Sequence, residues 1–228
     1  MRQPQVVVAV GVIGVLTAGC GGTKGNAESP TTTPSMIPRP VVARELPELL
    51  LSPEQVNAAM GATAMTVTNT QTAMSDNSAT MAPAECLAID GAAEAAVYAN
   101  SGYWAEHDQS LNDGDKFTHY VKQAVVLFPT VEKAGALFDA SAQQWPACRQ
   151  YTHTQSGSQW SVGQIANTTD TLSTTATQQN GAAPGWGCGR ALAHRNNVVI
   201  DINTCSANPA DTAVKIAEQI AANVTARW

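Results

Sequence analysis

The sequence predicts an α+β domain, a twisted antiparallel sheet packed with helices and held by two disulfides. Three observations carry this. Strand-like segments outnumber helical ones and do not alternate with them as a parallel sheet would require. The stretch Gly185–Cys205 (GWGCGRALAHRNNVVIDINTC) folds back on itself as a hairpin. Of the 5 cysteines, setting aside Cys20 at the end of the N-terminal apolar run leaves an even number, as an exported disulfide-bonded domain needs.

The hairpin fixes the most detail. Val198–Ile202 is β-branched and apolar, Ala191–His194 is a plausible partner, and Asn196-Asn197 supplies a turn that tolerates positive φ. That turn sets Arg195 opposite Val198, His194 opposite Val199 and, continuing outward, Cys188 opposite Cys205. The last pair falls at a non-hydrogen-bonded site, where opposed Cα atoms come closest and a cross-strand disulfide is feasible. Cys86 and Cys148 are then left for each other. The same register turns Ala191, Ala193, Val198, Ile200 and Ile202 towards a core, and Arg190, His194, Asp201 and Asn203 to the opposite face. That polar face either meets water or lines a cleft.

The N-terminus sets the compartment. Arg2 precedes the apolar run Val6–Leu16, which is far shorter than the ~20 residues of a membrane span. The run ends in Ala18-Gly19-Cys20, the pattern of a lipoprotein signal (1–19) cut before a cysteine that is then lipidated. Thr17 departs from that pattern, standing where Leu or Val is usual; the alternatives are a secretory signal cut elsewhere or an uncleaved anchor. Residues 20–45 read as the lipidated Cys20 and a disordered tether, whose Gly/Ser/Thr/Pro stretch Gly21–Pro40 has a reach of about 25 Å, and residues 46–228 as the domain. The implied place is the extracytoplasmic face of the cell membrane. A formal charge of −6 without any Lys/Arg cluster argues against nucleic acid.

Along the domain, Ser52-Pro53-Glu54-Gln55 has the features of a capped helix start, and Gly61 stops that helix. Thr63–Thr68 alternates weakly as a strand, and Thr70–Met81 is a polar loop. Pro83–Asn100 is helix-prone in its second half. Tyr103-Trp104 opens a strand, and Asn112–Asp115 turns into the strongest one, Phe117–Phe128. In it Val121, Val125 and Leu127 share one face, and Tyr120, Val126 and Phe128 the other. Thr130 caps a helix to about Trp145, with Val131, Ala134, Phe138, Ala142 and Trp145 at helical spacing. A Cys86–Cys148 bridge would pin its end, with a stabilisation on the order of 4 kcal/mol from the long loop it closes. Gln159–Gln164 and Thr168–Thr177 read as strands around Trp160 and Leu172. A last helix runs from Asn208 (cap) and Pro209 to about Val224, burying Ala213, Ile216, Ile220 and Val224.

No motif names a reaction: G-x-S-x-G, H-E-x-x-H and the P-loop are absent from the sequence. No C-x-x-C occurs and no histidine lies at ligand spacing from a cysteine, so no metal or cofactor is implied. Asp108–Asp115 resembles a calcium loop, but its glycine falls late and no Glu closes it. Among the four histidines, His194 has the best case for function, sharing the hairpin's polar face with Arg190 and Asp201. The alternative is an exposed edge on which Arg190 and Asp201 form a diagonal pair worth under about 1 kcal/mol. Tyr103, Trp104 and Trp186 stand near element ends, from which they could line a pocket.

Several of these pieces together are familiar. The capped S-P-E-Q-V-N helix, Cys86, Val125-Val126-Leu127-Phe128-Pro129, Gln144-Trp145-Pro146-Ala147-Cys148, Gly185-Trp186-Gly187-Cys188 and Asn196-Asn197-Val198-Val199 before Cys205 resemble the PknH-like extracellular sensor domain of mycobacterial membrane serine/threonine kinases, from about Leu46 to Val224. That domain also occurs alone in envelope lipoproteins. The resemblance implies an antiparallel sheet with helices, two disulfides, and a cleft proposed to bind an unidentified ligand. It carries no kinase activity to these residues. The expectation is a lipid-anchored binding protein for a small molecule or envelope component, with Arg190, His194, Asp201, Tyr103 and Trp104 as candidate cleft walls and no catalytic residue. The alternatives are a module that docks on another envelope protein, and last a hydrolase without recognisable motif.

Overall fold

In the computed structural model, residues 38–168 and 170–227 are described. The signal segment, Cys20 and the tether up to residue 37 lie outside them. The chain enters through Val41, which is already buried, so packing begins earlier than the expected Leu46. A 3-10 turn, Ala43–Leu49, then leads to α1 (Pro53–Met60). Ser52 and Gln55 cap α1 reciprocally, and Gly61 ends it in the left-handed conformation, as the sequence predicts.

The strands are β1 (Thr66–Gln71), β2 (Met81–Ala82), β3 (Ala105–Asn112), β4 (His119–Leu127) and β5 (Gln150–His153). They continue as β6 (Gln159–Val162), β7 (Ala166–Asn167), β8 (Thr171–Gln178), β9 (Trp186–Arg195) and β10 (Val198–Ala207). All belong to one 10-stranded sheet in the order β1-β3-β4-β10-β9-β8-β6-β5-β2, with β7 beside β8. Every pairing is antiparallel. The β9–β10 register matches the one read from the turn, from Arg195 opposite Val198 to Cys188 opposite Cys205. Both expected disulfides form, Cys188–Cys205 across a Cα–Cα distance of 4.1 Å. Asn196 takes the positive φ of 53° that the turn needs. Asn197 does something else: its buried amide accepts from the Val41 N–H and donates to the Val41 and Phe128 carbonyls. The hairpin turn therefore clamps the incoming chain.

The sheet separates two cores. On one face Val121, Val125, Ile200 and Ile202 pack against Leu46, Val56 and the last helix, α5 (Thr212–Thr225). On the other, Val126, Phe128, Leu192 and Val199 meet Phe138 and Trp145 and both disulfides. Phe138 comes from α4 (Val131–Gln144), which Thr130 caps as expected; only Val131 of its expected stripe stays exposed. The hairpin's second face is thus largely a second core, which the polar reading had not allowed.

Two helical expectations change. Pro83–Asn100, expected to be helix-prone in its second half, forms only single turns, α3 (Ala95–Tyr98) in that half and α2 (Leu87–Asp90) ahead of it. Ala93 between them sits at φ 51°, because its N–H turns to donate to the buried Asp201 carboxylate. The last helix starts at Thr212 and not at Pro209, since Asn208 adopts φ 57° and donates its N–H to the Gly185 carbonyl. A helix cap needs an extended backbone, which that φ excludes. Gly185 in turn sits at φ +74° with the Asn208 side chain in the space a Cβ would need.

Candidate functional site

A cleft of about 450 Å³ opens between the polar end of the sheet and the connection that joins β1 to β3. Its floor is the Cys188–Cys205 disulfide with Asn203, Tyr120 and Lys122. These residues share a face because β4, β10 and β9 set Tyr120, Cys205 and Cys188 in one cross-strand row and Lys122, Asn203 and Arg190 in the next. Asn69 and Gln71 from the edge strand β1 form one side. The roof comes from Ser75, Asn77, Asp90, Gly91 and Glu94. A parallel bridge of Ser75 with Glu94 holds the roof together, and Asn203 donates to the Asp90 carbonyl to tie it to the floor.

Aromatic rings flank the opening. Trp186 and Tyr120 stand 6.4 and 6.1 Å from Phe117, centroid to centroid. Phe117 is 43% exposed, yet the turn that carries it is fixed by Asp113. That carboxylate accepts from Thr118 N at 2.8 Å, His119 N at 3.0 Å and Thr118 Oγ1 at 2.7 Å, and contacts His119 Nδ1 at 2.8 Å. Burial would push the Asp113 pKa up, but these bonds outweigh it and hold the group well below the ordinary carboxylate range. The segment that resembles a calcium loop only at a glance is thus a turn, organised by one of its own carboxylates. Across the cleft stand Trp160 and His153.

The ionisable wall groups are engaged within the protein. His153 Nε2 lies 2.8 Å from Asp90 Oδ1, a contact that raises the histidine pKa against the effect of burial. Glu94 accepts from both the backbone N–H and the side-chain amide of Asn77, while burial pushes its pKa up. Lys122 donates to Ser75 Oγ at 3.0 Å and lies 3.4 Å from Asp108. Behind Lys122, Glu106 and Asp108 are buried on β3, and neither Glu106 carboxylate oxygen has a hydrogen-bond partner. Burial foremost, and then the proximity of Asp108, raises the Glu106 pKa to about 7. The Asp108 pKa is raised too, again by burial, with Lys122 opposing. Among the described residues no three His, Cys, Asp or Glu side chains group to hold a metal ion.

None of the five walls expected from sequence lines this cleft. Arg190 and Asp201 are each 2% exposed and form an ion pair of 2.6 Å. Arg190 also donates to the Ala88 and Ile202 carbonyls and lies 5.3 Å from the Trp145 ring. Asp201 accepts from Ala93 N and Tyr98 Oη, both at 2.9 Å. The pair is neither a wall of this cleft nor an exposed edge; it bolts α2 and α3 onto the sheet. His194 packs half-buried against Phe138 at 5.1 Å. Tyr103 rests edge-on against Tyr98, and Trp104 stands 70% exposed. Of the aromatics singled out by position, Trp186 alone reaches the cleft.

The model of the PknH-like extracellular domain family matches residues 41–223. Over 222 residues the chain is 34% identical to the serine/threonine-protein kinase PknH of Mycobacterium bovis and 33% identical to that of Mycobacterium tuberculosis. Both matches cover 95% of this chain but only 36% and 35% of the kinases, so it spans about a third of their length. The crystal structure of the extracellular domain of PknH from Mycobacterium tuberculosis is similar, with a TM-score of 0.78 and 33% identity over 82% of this chain and 98% of that one.

Proposed function

The chain belongs to the PknH-like extracellular domain family, and on that premise we propose that it binds an unidentified small molecule or envelope component in the cleft above the Cys188–Cys205 disulfide. The observation that carries this reading is a cavity of about 450 Å³ with aromatic rings and amides converging from several elements on a cross-linked floor. Ligand sites of this size combine an apolar wall with a few placed polar groups. The reading is one of binding, with Asp90, Glu94, Lys122 and His153 each held by a protein partner and so fixed in place as parts of the wall. Lipidation of Cys20 would hold the domain at the extracytoplasmic face of the membrane. No helix among the described residues is long and apolar enough to cross one.

The test is native mass spectrometry of the chain purified gently from a mycobacterial envelope. A retained small mass that is released by Phe117→Ala supports the reading. A mass unaffected by cleft substitutions refutes it. For the anchor, Cys20→Ala should move the protein from the membrane fraction to the soluble one. A second reading, docking on another envelope protein, is favoured by one feature, the exposed Trp104 beside Tyr103. Cross-linking in intact cells that disappears with Trp104→Ala would support it.

A further inference from the structure

We propose that the cleft takes a neutral, polyhydroxylated ring, the chemistry of an oligosaccharide. This rests on the cleft being the binding site, and it follows from charge, ring placement and the form of the sheet edge.

Charge comes first. A phosphate or carboxylate entering the cleft would meet Asp90 and Glu94, with Glu106 and Asp108 behind them. Its cations are already committed, Lys122 to Asp108 and Ser75 and His153 to Asp90. An ammonium ligand would have to share Glu94 with its two Asn77 donors or Asp90 with His153. A neutral ligand leaves every one of these contacts intact.

The rings come next. Phe117, Tyr120 and Trp186 form a cluster at the mouth, and Phe117 is held half-exposed on a turn that Asp113 fixes from within. A preset, exposed aromatic face is suited to stacking against the C–H face of a saturated ring. Beside it, Asn69 and Gln71 present planar amides. Each amide offers both a donor and an acceptor, which matches the paired donor and acceptor roles of neighbouring hydroxyls.

The sheet edge argues against the main rival, an extended peptide added to β1. A β-bulge between Val67 and Asn69 breaks the ladder register beside the cleft. Bulges of this kind blunt an edge against strand addition.

The experiment is an array of neutral, amine-bearing and carboxylate-bearing oligosaccharides with unstructured peptides as a second class, probed with the full chain. Titration of the best neutral binder follows. The expected result is retention on neutral glycans, with affinity lowered at least tenfold by Phe117→Ala, lowered less by Asn69→Ala, and unchanged by Trp104→Ala. Phe117 and Asn69 are exposed enough that their substitution leaves the fold intact, which a melting curve checks. Binding only to charged sugars or to peptides, still dependent on Phe117, overturns the ligand class and leaves the cleft as the site. Binding that ignores Phe117 and Asn69 overturns the cleft itself, and no retention on any member of the array overturns both.

Discussion

Glu106→Gln isolates the cost of ionising a carboxyl beneath the cleft. Glu106 is 3% exposed, its oxygens lack hydrogen-bond partners, and its pKa rises from the ordinary 4.5 to about 7. The folded protein therefore holds a proton on Glu106 that the unfolded chain gives up. The stabilisation is complete below pH 4.5 and is lost as pH rises through about 7. At about 1.4 kcal/mol per pH unit, the loss across that window is on the order of 3 kcal/mol. A glutamine has nearly the same shape and no charge to desolvate. Urea unfolding of both proteins from pH 5 to pH 8 should give nearly equal stabilities at pH 5. At pH 8 the variant should be more stable by about 2–3 kcal/mol. His153, whose pKa Asp90 raises, adds a slope of the same sign, but it is common to both proteins and cancels in the difference. Asp108, raised by burial, leaves the variant a residual slope. Parallel stability curves over this range would refute the reasoning.

Four further variants test the framework. Arg190→Ala or Asp201→Ala should each cost about 3–5 kcal/mol in urea unfolding, because each leaves an uncompensated buried charge; a change under about 1 kcal/mol would mean the pair is not buried as described. Replacing Cys188 and Cys205 together by alanine should cost about 3 kcal/mol, set by the 17-residue separation that the bridge closes, and thermal melting in the presence and absence of reductant reads it. Asn197→Ala should cost on the order of 2 kcal/mol by urea unfolding, since the Val41 N–H and the Val41 and Phe128 carbonyls lose their partner.

The hairpin was legible because two constraints agreed. A two-residue turn allows one register, and the period-2 alternation of Ala191, Ala193, Val198, Ile200 and Ile202 demands the same one. The disulfide pairing followed from it. The shortness of the helix in the second half of Pro83–Asn100 was not legible, because its alanines favour helix and the forces that cut it short are remote: Asp201 captures Ala93 N, and Arg190 captures the Ala88 carbonyl. The short strands β2, β5 and β7 carry too few residues to show any period. The cleft is assembled from side chains far apart in the chain, so no local pattern announces it. One signal was present all the same. Lys122 sits on a face of β4 whose following residues Ala124, Val126 and Phe128 are buried and apolar, and a charge in such a place marks either an internal partner or a site.

The position of the Arg190–Asp201 pair changes how binding data should be read. Arg190 holds the Ala88 carbonyl of α2, and the last residue of that helix is Asp90, a cleft wall. Asp201 holds Ala93, next to Glu94, another wall. The pair thus sets the height of the roof over a floor that the disulfide fixes separately. Loss of binding in an Arg190 or Asp201 variant would follow from displacement of the roof and would not identify either side chain as a ligand contact. Substitutions at Phe117 and Asn69 touch the cleft without touching this tie, so a fall in affinity there, at unchanged melting temperature, reports contact with the ligand.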